Sequence, residues 1–113
     1  MKAHHKLKVW KRSIDFVAEI YQLTEKFPRN EIHGLTFQMR RAAVSIPSNL
    51  AEGAGRRSKK EFKRFLSISQ GSVAELETQL IIAERVGYCT RIGQLFGELD
   101  EISKMIIGLA KSL

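Results

Sequence analysis

Between residues 58 and 86 the side chains suited to burial fall at Phe62, Leu66, Ser69, Val73, Leu76, Leu80 and Ala83. The steps alternate between four and three. That is the 3.5-residue repeat that keeps one seam of a helix turned towards its neighbours in a left-handed bundle. The interval favours a helix over a strand, and the seam needs partner helices to cover it. Both ends of the stretch are marked. Ser58-Lys59-Lys60-Glu61 has the form of a capping box, in which the serine hydroxyl accepts from the Glu61 amide and the Glu61 side chain reaches back. Gly87 follows Val86 and can take the left-handed conformation that closes a helix.

Three further helices follow from the same kind of pattern. The first is expected from Lys8 to Lys26, with one apolar stripe at Trp10, Ile14, Val17 and Tyr21 and a second at Val9, Phe16, Ile20, Leu23 and Phe27. An apolar face this wide exceeds what one bundle seam needs. Phe27-Pro28 ends it, since the residue before proline is pushed out of helical geometry. The second is expected from Ile32 to Gly53, buried along Leu35, Met39, Ala42, Ile46 and Leu50. Its small residues Ala42, Ala43, Ala51 and Gly53 invite a close neighbour. Pro47 sits inside it and removes a backbone donor, which predicts a kink near 43–47, or else a break with Pro47 opening a new helix. The fourth is expected to start near Thr90, with a seam at Ile92, Leu95, Leu99, Ile102, Ile106, Leu109 and Leu113. Short links at 54–57 and 87–89 reverse the chain each time. The expected fold class is all-α, an antiparallel up-down-up-down four-helix bundle with a kinked second helix, forming a single domain over residues 1–113.

Chain length and composition agree with that. A chain of 113 residues with 43% apolar and 27% charged residues can bury a real core without staples. Cys89 is alone, so no intrachain disulfide forms and a reducing compartment is expected. The basic start Met1–Lys6 is not followed by the apolar run of a signal peptide. An uncharged run such as Ala42–Ala51 is ten residues, about half a membrane span. No membrane association is expected, and the location is expected to be cytoplasmic.

The net charge of +7 is unevenly placed. Residues 1–60 carry 13 Lys and Arg against 5 Asp and Glu, whereas residues 61–113 carry 6 against 7. Such asymmetry points to a polyanionic partner for the first half. Arg56, Arg57, Lys59, Lys60, Lys63 and Arg64 cluster around the start of the third helix. Lysine in a first turn opposes the helix dipole, yet the same end offers unpaired backbone amides that suit an anion. A phosphate would reverse the penalty; a solvated hairpin tip is the plainer account. Arg40 and Arg41 on the second helix are the other candidates. Arg41 shares a polar stripe with Gln38, Ser45, Ser48 and Glu52, and Arg40 lies beside the small-residue face, where a glutamate of a neighbouring helix is the competing partner.

Catalytic and metal-binding patterns are scarce. His4 and His5 fall at a terminus expected to fray, and His33 falls in a loop; no Cys, His and carboxylate spacing resembles a zinc site, and no glutamate precedes a histidine by three. Gly53 and Gly55 precede basic residues, but no Gly-Lys-Ser/Thr follows, which removes a P-loop. No cofactor, no metal and no enzymatic activity are expected. Glu75, Glu77, Glu84, Glu98, Asp100 and Glu101 are spaced as solvated or salt-bridged helix faces.

The run from Gln38 to Gly53, Gln-Met-Arg-Arg-Ala-Ala-Val-Ser-Ile-Pro-Ser-Asn-Leu-Ala-Glu-Gly, followed by Gly55-Arg-Arg-Ser-Lys-Lys-Glu-Phe62, resembles the signature of a known family. Val9-Trp10 and Ala74–Leu80 match as well. The family is that of the bacterial four-helix bundle proteins first recognised as open reading frames in intervening sequences of 23S ribosomal RNA genes. The resemblance covers nearly the whole chain. It implies a bundle that assembles into a ring-like homopentamer. It also implies likeness to the accessory protein of diversity-generating retroelements, a basic pentamer that binds nucleic acid and a reverse transcriptase. Two functions follow as expectations: a basic oligomer that binds RNA or DNA through the phosphate backbone, and an oligomeric adaptor that docks a protein partner.

Overall fold

A computed structural model describes residues 2–113. Four helices carry the fold: α1 (Lys8–Thr24), α2 (Leu35–Ala54), α3 (Lys59–Arg85) and α4 (Gly93–Ser112). Short 3-10 turns at Ala3–Lys6 and Arg29–Glu31 precede α1 and α2. Among the described residues there is no strand, and no helix is long and apolar enough to cross a membrane.

Side-chain contacts fix the helix order around the bundle. Ser69 Oγ donates to the Ile46 carbonyl at 3.0 Å, Ser45 and Ser72 share a hydrogen bond, and Gly53 lies against Phe62 and Phe65. α2 and α3 therefore run in opposite directions. Gln70 Nε2 donates to the Ser103 carbonyl, and Lys63 and Lys111 line one recess, so α3 and α4 are antiparallel as well. Arg12 on α1 pairs with Glu101 on α4 and closes the ring of neighbours. The molecule measures 43 × 24 × 22 Å, so its two ends lie far apart.

The core is the one that the seams specify. Phe16, Ile20, Met39, Ile46, Leu50, Leu66, Leu76, Leu80, Leu99, Ile102 and Ile106 are completely enclosed. Each such side chain contributes about 1.5–3 kcal/mol relative to an exposed one. On α1 the second of the two apolar stripes goes inside, and of the first only Trp10 and Val17 pack against the core, partly buried. Ile14 and Tyr21 of the first stay 44% and 42% exposed. On α2 the small residues do bring a neighbour close. A Cβ placed on Gly53 would stand 2.8 Å from Phe65 Cβ and 3.0 Å from Phe62 Cδ1, so nothing larger than glycine fits.

Helix ends show where local signals suffice and where they do not. Ser58 Oγ accepts from the Glu61 amide at 3.1 Å, the first arm of the expected capping box; the Glu61 carboxylate turns instead towards Arg64. At the far end of α3, Tyr88 N–H donates to the Ala83 carbonyl and Gly87 N–H to that of Glu84, with Gly87 at φ +86°. These are the paired bonds of a Schellman closure. α2 runs unbroken through Pro47, so the proline does not split it. Two starts differ from expectation. α2 begins at Leu35 and not Ile32, because residues 29–31 form a 3-10 turn and the Glu31 carboxylate, not a residue at the helix edge, accepts from the Leu35 amide at 3.0 Å. α4 begins at Gly93 and not near Thr90. Arg91 takes a left-handed φ of +55°, which breaks the helical path after Thr90, and no side chain caps the helix.

Candidate nucleic-acid interface

The antiparallel order brings the start of α3, the end of α2, the end of α4 and the turn before α1 to one end of the bundle. Six of the eight basic residues singled out in the sequence gather there. Arg57, Lys59, Lys60 and Lys63 are exposed. None of the four makes an ion pair among the described residues. Arg56 is held by Glu52 one turn earlier at 3.0 Å, and its guanidinium lies 4.9 Å from the centre of the Phe65 ring. Arg64 approaches the same ring at 5.3 Å and stands 3.9 Å from Glu61. Phe65 thus carries two guanidiniums on a buried ring. Each contact is worth about 0.5–1 kcal/mol at a surface and orients the group more than it neutralises it.

Arg40 and Arg41 do not join that end. Arg40 lies towards the opposite end, beside the link between α1 and α2, where its Nε donates to Thr24 Oγ1 at 2.8 Å, its Nη2 meets Glu25 at 3.3 Å and its guanidinium covers the Tyr21 ring at 4.5 Å. It joins α2 to the end of α1, with a glutamate of the neighbouring helix as partner. Arg41 is exposed and lines a groove of about 830 Å³ between α2 and α3, together with His33, Phe37, Ser45, Ile68 and Glu75.

The end also holds groups that the linear sequence leaves scattered. Lys2 and His4 line a recess of about 520 Å³ with Ala51, Glu52, Gly55 and Arg56. Lys111, at the end of α4, shares a second recess with Lys63. The up-down topology was the available signal, because it places the first residues of odd helices beside the last residues of even ones. His4 and His5, expected at a fraying terminus, are placed against the bundle in the structure. Their segment forms a 3-10 turn, and both imidazoles pack against the Trp10 indole at 5.0 and 5.3 Å between ring centres.

The rest of the surface offers little chemistry. Cys89 is half-buried, and burial with the nearby Glu84 pushes its thiol up, away from the thiolate. Among the described residues no three His, Cys, Asp or Glu side chains are grouped to hold a metal ion. Glu19 on α1 is pushed up to about 7. The first cause is a hydrogen bond shared with Glu98 of α4, then burial, then repulsion from Glu98 and Asp15, with Arg12 opposing. Asp100 is paired with Lys104 at 3.1 Å. These carboxylates line the α1–α4 side, away from the exposed cations of the α3 start.

The chain is similar over 91% of its length, and over 98% of the other chain, to a crystal structure from Bacteroides thetaiotaomicron VPI-5482, described as a protein of unknown function from the S23 ribosomal protein family. The sequence identity is 25% and the TM-score 0.81. No curated protein matches it. The family profile of the 23S rRNA-intervening sequence proteins matches residues 5–108, and the chain belongs to that family.

Proposed function

We propose that the protein is a non-catalytic, cytoplasmic homo-oligomer that binds the phosphate backbone of RNA or DNA through the basic end of its bundle. One observation carries this reading: Arg57, Lys59, Lys60 and Lys63 stand exposed and, among the described residues, without ion pairs beside a helix N-terminus that disfavours them. Backbone phosphates would relieve that repulsion and accept from the free amides of the first turn. Such contacts fix position without reading base sequence. The oligomer is supported by the apolar side chains left outside, among them Ile14, Tyr21, Phe37 and Val44. Five subunits come from the family resemblance. A ring would repeat the basic end on every subunit, so weak individual contacts would add.

The test is a fluorescence-anisotropy titration on RNA and DNA duplexes at several salt concentrations, with light scattering at micromolar protein. Affinity should fall steeply with salt and depend little on sequence. Replacing Lys59 and Lys60 by glutamine should flatten the salt dependence by roughly one unit of slope for each phosphate that is no longer neutralised. Absence of binding at low salt ends the nucleic-acid reading, and a monomer ends the oligomeric one.

A second reading has its own observation. The α2–α3 groove combines exposed Phe37 and Ile68 with Arg41 and Glu75, the mixed apolar and charged lining of a protein docking site. An adaptor that docks a protein partner there takes precedence if duplexes fail to bind.

A further inference from the structure

The recess behind the basic cluster and the ring cluster beside it differ from the rest of that end. Lys59, Lys60 and Lys63 offer charge alone. The turn Ala3–Lys6 instead brings three ring systems together: His4 and His5 pack edge to face at 4.4 Å between centres, and both meet Trp10. All three side chains remain partly open to solvent. His4 also forms one wall of the 520 Å³ recess, whose other walls include Lys2, Glu52, Gly55 and Arg56. That volume falls within the roughly 300–1,000 Å³ of small-molecule sites.

Resting on the nucleic-acid reading above, we propose that this recess and the His4–His5–Trp10 cluster hold an unpaired nucleotide at the end of a duplex gripped by the neighbouring cations. Each part supplies what a single-stranded nucleotide needs. Imidazole and indole rings are platforms on which unstacked bases lie. Lys2 and Arg56 provide charge for its phosphate. Glu52, held in place by Arg56 at 3.0 Å, offers a carboxylate oxygen to an exocyclic amine on a base edge. A paired base is buried in its duplex stack and cannot use these groups, so duplex alone engages only the lysines. Burial, His5 and Lys2 all hold His4 below its ordinary range, which leaves its ring uncharged at neutral pH and suited to stacking.

Trp10 is the only tryptophan of the chain, so its fluorescence reports the cluster directly. The probes are a blunt 16-base-pair RNA duplex and the same duplex with a four-nucleotide single-stranded overhang, titrated into the full chain at low salt. The overhang should bind about fivefold tighter or more, the lower range for one stacked base, and should quench Trp10 where the blunt duplex does not. The double variant His4→Ala/His5→Ala should bind the blunt duplex unchanged and lose the overhang preference. His33→Ala, at the opposite end, should keep both. The two histidines are partly exposed and meet only the rim of the core, through Trp10, so thermal melting should fall only slightly. Equal affinity for the two duplexes, or a preference that the double variant keeps, overturns this proposal alone. Failure of both duplexes to bind overturns it together with the backbone-binding reading.

Discussion

The two ends of the bundle are built on opposite plans. At the end that holds the link between α1 and α2, a carboxylate is tied into the fold. Tyr88 donates its hydroxyl to Glu31 at 2.6 Å, Phe27 packs on the Tyr88 ring, and Glu31 also caps α2. Both hydrogen bonds hold the Glu31 carboxyl below its ordinary range, the bond from Tyr88 more than that from Leu35. At the other end four cations stand in solvent without ion pairs among the described residues, and Gly53 packs closely against Phe62 and Phe65. With 43 Å of length between the extremes and a screening length of about 8 Å at physiological salt, neither end feels the other's charge. Satisfied polar groups hold a fold together; unsatisfied exposed ones are available to a partner.

The comparison breaks most visibly at Gly53. Alanine in a helix ordinarily gains about 1 kcal/mol over glycine. Here its Cβ would strike the Phe65 Cβ, which is fixed to a helix backbone and cannot step aside. Overpacking of this kind costs about 1–3 kcal/mol. The net loss is up to about 2 kcal/mol, so Gly53→Ala should lower the melting temperature by up to roughly 10 °C. A rise in melting temperature would mean that α2 and α3 are not in close contact there.

At the tied end, Tyr88→Phe removes one charge-assisted bond while keeping the ring against Phe27. Solvent around both groups weakens such a bond without abolishing it. A small fall in melting temperature by differential scanning calorimetry is expected, with little change in duplex binding. Loss of binding without loss of stability would reverse the roles assigned to the two ends.

A smaller effect belongs to the side of the bundle between them. Glu19, at about 7 in the folded chain against an ordinary 4.5, keeps a proton that the unfolded chain has released between those values. Its contribution is therefore full below about pH 4.5 and is lost as pH rises through about 7. Glu19→Gln keeps a hydrogen-bond donor for Glu98 at every pH. It should raise the melting temperature by about 2–4 °C at pH 8 and change nothing at pH 5. Equal effects at both pH values would show that the two carboxylates do not share a proton.

The sequence was most legible where a few neighbouring residues decide the outcome. The 3.5-residue seam of α3 is buried from Leu66 to Ala83, the Ser58 hydroxyl caps it, and Gly87 closes it. Long-range partners were not legible. The cap of α2 depends on Glu31, which Tyr88 orients from 57 residues away. Arg91 reaches positive φ without the glycine that would announce it. At the candidate interface, Arg56 to Arg64 could be read as a run. Lys2 and Lys111 join it only through the topology, and Arg40 leaves it because Thr24 and Glu25 lie beside it in space.

The smallest effect on stability is expected where the effect on binding is to be largest. Lys59 and Lys60 occupy the first turn of α3 and make no ion pair among the described residues. Their replacement by glutamine removes no packing, and it takes two positive charges from a helix end that is already positive. The gain is a few tenths of a kcal/mol per charge. Lys59→Gln/Lys60→Gln should thus melt at the parent's temperature or about 1–3 °C above it. Glu31→Gln, the corresponding change at the tied end, should melt lower, because it weakens both the cap of α2 and the bond to Tyr88. A double lysine variant that melts well below the parent would show that these cations stabilise the fold, as the charged groups of the other end do. They would then have no charge to spare for a phosphate backbone.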